Sequence, residues 1–148
     1  MPVWLTARPI AHRGLHAPEG PVENTAPAFA AAIAGNYGIE CDVQISADGE
    51  AMVYHDATLG RLTEGSARLA DLSAAALKRV RFKTAAEPML TLGELGGMVA
   101  GDISARVSAE ARGGCANSCI VIMHTAQAAA INVRIPLATA LSLRRLFN

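Results

Sequence analysis

The sequence predicts an α/β fold built on a parallel sheet with helical crossovers. Three observations lead there. Short apolar runs alternate with helical patterns over the first hundred residues. The second of these runs keeps a strict two-residue period, the signature of a strand with two distinct faces. Polar residues capable of chemistry recur just after the runs, on the side where α/β sheets gather their ligands.

The elements follow in order. Residues 9–11 read as a short strand that ends in His12-Arg13-Gly14. A loop over 15–22 carries the turn formers Gly20 and Pro21. Asn24-Thr25-Ala26-Pro27 opens a helix, with a capping side chain and a proline in the first turn, where its missing N–H costs nothing. The helix continues through 28–34 and stops at Gly35-Asn36. Residues 37–45 form a second strand, with Ile39, Cys41, Val43 and Ile45 on one face and Glu40, Asp42 and Gln44 on the other. Ala47-Asp48-Gly49 is a turn, and a third strand over 51–54 runs into His55-Asp56. An amphipathic helix is expected over 72–80, and Thr91-Leu92-Gly93-Glu94-Leu95 begins another. Beyond Gly101 the texture changes: lysine disappears, Asp102 and Glu110 are the only acids, and arginine supplies the positive charge. Here a strand over 120–123 and helices over 125–131 and 135–146 are expected.

Composition narrows the function. The 148 residues suffice for one domain, 51% of them are hydrophobic, and 13 basic residues balance 13 acidic ones. A nucleic-acid partner would require a basic face, so none is expected. No apolar run approaches the ~20 residues of a membrane span, and residues 1–8 lack the apolar core of a secretory leader. Cys41, Cys115 and Cys119 are odd in number and make no disulfide framework, and the pair at 115 and 119 has no second pair to complete a metal site. A soluble protein of the reducing cytoplasm is expected.

At the strand ends, one cleft would hold His12, Arg13, Glu40, Asp42, His55 and Asp56. Two carboxylates on one strand face are hard oxygen donors, suited to Mg²⁺ or Ca²⁺ rather than to zinc. The planar fork of Arg13 matches two phosphate oxygens. Two histidines can divide general-base and general-acid work. Together these groups suit a phosphodiester, although each alone is a common feature. His16 and His124 read as exposed or structural residues.

The order His12-Arg13-Gly14, Glu23-Asn24-Thr25, Glu40-Cys41-Asp42-Val43, Asp48-Gly49 and His55-Asp56 closely resembles the signature of the glycerophosphodiester phosphodiesterase family. Leu59-Gly60-Arg61-Leu62-Thr63 resembles its L-x-R-x-T stretch, and residues 88–94 resemble its P-x-L-x-L-x-E helix start. The resemblance spans roughly residues 8–100. It implies a TIM-type (β/α) barrel with an insertion after the third strand. It also implies hydrolysis of a small glycerophosphodiester to an alcohol and glycerol 3-phosphate, in lipid and glycerol metabolism. Carried over by position, it makes His12 and His55 the acid/base pair, Arg13 the phosphate contact, and Glu40 and Asp42 ligands of a divalent metal. Glu110, in Glu110-Ala111-Arg112, has the outline of the family's third metal carboxylate. Glu23, Asn24 and Asp56 support the site. Asn24 reads equally well as a helix cap, and Asp56 as a residue that orients its neighbour.

A (β/α)₈ barrel takes about 250 residues, so the barrel expected of this chain is incomplete. Residues 1–101 carry the N-terminal part of the domain, and 102–148 form a divergent tail. The tail is compatible with an altered reading frame, an internal deletion or a naturally short variant. Two other functions compete with the leading one: a phospholipase D-like relative using the same histidines on a lipid headgroup, and an inactive fragment that keeps the motifs.

Overall fold

The computed structural model describes residues 8–99 and, beyond them, the backbone of three further strands. Its elements are β1 (Ile10–His12), α1 (Ala26–Ala34), β2 (Gly38–Ile45), β3 (Ala51–Val53), α2 (Ala74–Leu77), α3 (Leu92–Val99), β4 (Arg106–Val107), β5 (Ser118–Met123) and β6 (Ala130–Val133). The sheet runs β1-β2-β5-β6-β4, with β3 joined to β2 off this path.

The sheet is mixed, which corrects the parallel expectation. β1 lies parallel to β2 and β4 parallel to β6, but β3 and β5 are both antiparallel to β2, and β6 is antiparallel to β5. For β3 the reason is chain length. Only residues 46–50 separate it from β2, and a parallel return needs a crossover of about a dozen residues or more. The two strands form a hairpin instead, with Val43 opposite Val53 and Ile45 opposite Ala51. Ser46 ties the turn: its hydroxyl donates to Asp48 Oδ1 at 2.6 Å and accepts from Glu50 N at 2.9 Å. Asp48 Oδ1 also accepts from Ala74 N at 2.9 Å, fixing the turn to the start of α2.

β2 has the predicted two faces, and both are covered. Ile39, Cys41 and Val43 pack with Phe29 and Ala32 of α1 and with Leu92, Leu95 and Val99 of α3. A second apolar cluster holds the segment after β3 in place, with Met52, Tyr54, Leu59, Leu69, Leu77, Phe82 and Met89 in contact. Fully burying such side chains stabilises by roughly 1.5–3 kcal/mol each. The segment after β3 is therefore packed around a core of its own.

The helices differ in detail from expectation. α1 begins at Ala26 after Thr25, whose side chain makes no capping bond; its hydroxyl donates to Val22 O at 2.6 Å. The helix expected over 72–80 shrinks to α2, because Ser73 takes the N-cap and accepts from Ala76 N. Arg79 N and Val80 N then bond back three residues, to Ala76 O and Leu77 O, and tighten the chain out of the α conformation. α3 opens with a reciprocal capping box: Thr91 N donates to Glu94 Oε2 at 2.9 Å, and Glu94 N to Thr91 Oγ1 at 3.1 Å. That is the physical content of the P-x-L-x-L-x-E pattern. In the tail, the strand expected over 120–123 is found within β5, but β6 occupies the end of the helix expected over 125–131. The helix expected over 135–146 lies outside the described residues, as do Cys115 and His124.

Candidate active site

The site is built along one edge of β2. Backbone groups of alternate strand residues face opposite edges. Gly38 N bonds to Pro9 O, so the even-numbered residues of β2 face β1. Tyr54 N donates to Asp42 O at 3.0 Å, on that same edge. β1 and β3 therefore share one edge of β2 and approach each other end to end. β1 delivers His12 opposite Glu40, and β3 delivers His55 one residue past the rung of Asp42. Sequence reasoning brought these residues together through parallel strand ends. The structure does so by running β2 beyond β1 and turning the chain back. Gln44, placed by sequence only on the polar face, secures the return: its Nε2 donates to His55 O at 2.7 Å.

The two carboxylates on this stretch of β2, Glu40 (9% exposed) and Asp42 (6%), are both buried. The loop after β1 folds over them in an unusual conformation. Arg13 and Asn24 both take left-handed backbone angles, φ +56° and +57°, which cost a non-glycine residue about 1–2 kcal/mol. Gly14 follows at φ +80°, and a Cβ there would lie 2.9 Å from the backbone of Ala28, so only glycine fits this approach to α1.

The strained positions aim donors at the carboxylates. Arg13 N donates to Glu40 Oε2 at 2.9 Å. Asn24 Nδ2 donates to Asp42 Oδ2 at 3.1 Å, and Asp42 N donates to Asn24 Oδ1 at 3.4 Å. Asn24 is thus a hydrogen-bond partner of Asp42, and the N-cap position of α1 falls to Thr25. The Arg13 guanidinium places Nε 2.9 Å from Asp42 Oδ2 and Nη1 3.2 Å from Glu23 Oε1. Its Nε is buried without an aligned hydrogen bond, so the contact with Asp42 is one of charge rather than direction.

The outer side of the site continues as an ion-pair chain. His55 Nδ1 lies 2.6 Å from Asp56 Oδ1. Arg61 Nε donates to Asp56 Oδ2 at 2.6 Å, and its Nη2 donates to Glu23 Oε1 at 2.5 Å. The sequence flagged the L-x-R-x-T stretch but not Arg61 as a site residue. Its long reach across 38 positions to Glu23 has no local signal. His16 is exposed as expected, with its ring centroid 6.5 Å from that of His12. Glu110 lies outside the described residues.

The electrostatics divide the acids into two kinds. Burial is the largest influence on Glu40 and, with the Asp42 charge, pushes its carboxyl above the usual range despite the Arg13 N–H and the charges of His12 and Arg13. Burial also opposes ionisation of Glu23. There the Arg61 hydrogen bond, with the charges of Arg61, Arg13 and His16, outweighs it and holds the carboxyl below its ordinary 4.5. Asp56 is lowered in the same manner, burial being overcome by Arg61 and His55.

A carboxylate lowered on folding contributes stability that is present above its unfolded pKa and is lost as pH falls through its folded one. The protein should therefore lose melting temperature as pH falls below about 4.5, the ordinary Glu value. Glu23→Gln should flatten that loss. Melting curves from pH 3 to 7 check this, and an equally steep acid branch in the variant would show that Glu23 carries none of it.

A guanidinium can match the oxygens of a phosphate ester and an imidazole can move a proton, and groups of both kinds stand along this edge of β2. Comparison with known proteins reaches the same class: residues 12–131 match the profile of the Glycerophosphoryl diester phosphodiesterase family, and the chain belongs to it. It is 37% identical over 112 residues to the glycerophosphodiester phosphodiesterase of Caldanaerobacter subterraneus subsp. tengcongensis, across 71% of this chain and 45% of that one. It is 41% identical over 64 residues to glycerophosphodiester phosphodiesterase 1 of Bos taurus, across 43% of this chain and 19% of the relative. The chain thus spans less than half the length of these relatives. Among solved structures it is similar to an Oleispira antarctica phosphodiesterase in complex with the product sn-glycerol-3-phosphate, with a TM-score of 0.53 and 31% identity over 62% of this chain and 40% of that one. A glycerophosphoryl diester phosphodiesterase structure from Agrobacterium tumefaciens gives a TM-score of 0.56 and 30% identity over 62% and 37%.

Proposed function

We propose that the chain forms the catalytic mouth of a divalent-cation-assisted hydrolase that cleaves glycerophosphodiesters to an alcohol and glycerol 3-phosphate. The observation that carries the reading is the convergence of β1 and β3 on one edge of β2, which brings His12 to the rung of Glu40 and His55 one residue past the rung of Asp42. One imidazole takes a proton from the nucleophile as its oxygen bonds to phosphorus. The other gives a proton to the departing alkoxide as its P–O bond breaks. His55, with Nδ1 on Asp56, offers Nε2 for this work. We read β1 and β2 as the first staves of a TIM-type barrel and place the activity in the cytoplasm, on small lipid-derived diesters. No helix among the described residues is long and apolar enough to cross a membrane.

The donor set fits a hard cation in chemistry but only partly in number. Glu40 and Asp42 are buried, adjacent and oxygen-bearing, and the like charge of Asp42 destabilises ionised Glu40. A bound Mg²⁺ or Ca²⁺ would relieve that cost and neutralise charge on the phosphoryl oxygens. No group of three or more metal-binding side chains occurs among the described residues. Arg13, beside Asp42, already contributes one positive charge.

The raised Glu40 gives a signed expectation. Its protonated form is favoured in the metal-free fold, so its contribution to stability is present at low pH and is lost as pH rises through its elevated folded pKa. Added Mg²⁺ or Ca²⁺ should therefore raise the melting temperature most above that pH. In Glu40→Gln this shift should largely vanish. Release of glycerol 3-phosphate from glycerophosphodiesters, followed with each cation and with chelator, tests the function itself. Release that ignores chelator would sink the cation's role, and absence of release under every condition would sink the hydrolase reading.

A further inference from the structure

The L-x-R-x-T stretch has a geometry that the proposed chemistry does not yet use. Leu59 and Thr63 are buried anchors, while Arg61 between them points outward with 44% of its side chain exposed. The backbone that presents it is secured at several points. Leu59 N bonds to Ala67 O at 2.9 Å, and Gly60 N donates to Thr63 Oγ1 at 3.3 Å. Thr63 Oγ1 lies 3.3 Å from the buried Tyr54 hydroxyl, and Lys83 Nζ donates to the carbonyls of Gly60 and Arg61. Such anchoring is more than a solvated surface arginine needs.

From this platform one guanidinium joins two carboxylates from distant parts of the chain. Nε and Nη2 grip both oxygens of Asp56, at 2.6 and 3.3 Å, and Nη2 also reaches Glu23 Oε1. Among the described residues, Asp56 has one close partner beyond Arg61, which is His55 Nδ1. With both Asp56 oxygens held, Oδ1 is fixed as an acceptor beside the imidazole, and a carboxylate there favours the tautomer protonated at Nδ1. On the other side Glu23 is held against Arg13.

We propose that Arg61 is a positioning residue that clamps Asp56 and thereby holds His55 in the Nδ1–H tautomer, with Nε2 turned to the substrate. The consequence for turnover rests on the diesterase reading above; the consequence for the tautomer does not. Lysine cannot substitute, because a single ammonium has no planar fork to hold both Asp56 oxygens and Glu23 together.

The test is ¹⁵N NMR of the imidazoles in the full 148-residue chain near neutral pH, beside diesterase kinetics. In the wild type, His55 should show a protonated Nδ1 and an unprotonated Nε2. In Arg61→Ala the two shifts should move toward tautomer averaging, and millimolar guanidinium should restore them. Where the chain turns over substrate, kcat should fall roughly 10–100-fold, the usual cost of losing an orienting partner, with KM little changed. If Arg61→Ala does not fold, Arg61→Lys decides the question by the same two shifts. A lowered melting temperature with an unchanged His55 tautomer would mean that Arg61 is merely structural and would overturn the proposal. A wild type with a locked tautomer and no diesterase activity, paired with a variant that unlocks it, would uphold Arg61 and sink the hydrolase reading instead.

Discussion

Replacing His12 or His55 with alanine is expected to reduce glycerophosphodiester turnover by roughly 10²–10⁴-fold, the usual contribution of one positioned proton-transfer group. The double replacement should be little worse than either single one, because groups acting as a unit do not add. The two residues reach the site by different routes: His12 ends a strand parallel to β2, and His55 follows one antiparallel to it. Neither ring belongs to the buried apolar clusters, so both variants should keep melting temperatures close to that of the wild type. Glycerol 3-phosphate release, measured at matched folded fractions, separates chemistry from stability. Losses that multiply in the double variant would assign the histidines to independent steps. A loss below tenfold in both single variants would remove them from the reaction.

At Asn24 the expected effect is on folding, and it divides into two parts. The side chain is 1% exposed, bonds to the buried Asp42 carboxylate, and sits at φ +57°. Asn24→Ala deletes the hydrogen bond to a charged group and keeps the strained backbone, for a loss of roughly 1.5–3 kcal/mol. Asn24→Gly deletes the same bond but relieves the left-handed strain that the asparagine already bears, which offsets about 1–2 kcal/mol of that loss. Denaturant melts of the three proteins should rank wild type, glycine, alanine. Equal stability of the glycine and alanine variants would deny the backbone strain. An alanine variant as stable as the wild type would deny the bond to Asp42. Asn24→Asp should be worse than Asn24→Gly, since it sets a second carboxylate against the first in a buried site.

Much of this arrangement was legible in the residues. The two-residue period of β2 announced both of its faces, because alternation is a direct consequence of strand geometry. Thr91 with Glu94 marked the start of α3. The direction of β3 was misread although the signal was present: five residues cannot carry a parallel crossover. The expectation of a uniform α/β sheet overrode it. Asn24 was ambiguous for a physical reason, since the same short amide side chain suits a helix cap and a left-handed turn aimed at a carboxylate. Arg61 was invisible as a site residue because its partners are chosen by tertiary packing, with Glu23 38 positions away. Cores and periods are local statements; ion-pair partners are not.

The end-to-end meeting of β1 and β3 makes β2 a ruler. The two histidines approach from strands that do not bond to each other: His12 pairs at the rung of Glu40, and His55 follows Tyr54, which bonds at the rung of Asp42. One strand step is about 3.4 Å, so those two rungs stand roughly 7 Å apart along β2. Changes of length in the hairpin then obey a parity rule. Adding one residue to each arm near the turn leaves His55 on its mark, at the cost of the Asp48 bond to Ala74. Adding one residue to a single arm of the paired region turns His55 to the opposite face. The tip at residues 46–50 is therefore where this chain can accept new sequence in matched increments, and the segment from Val53 to His55 is where even one extra residue would put the reaction out of register.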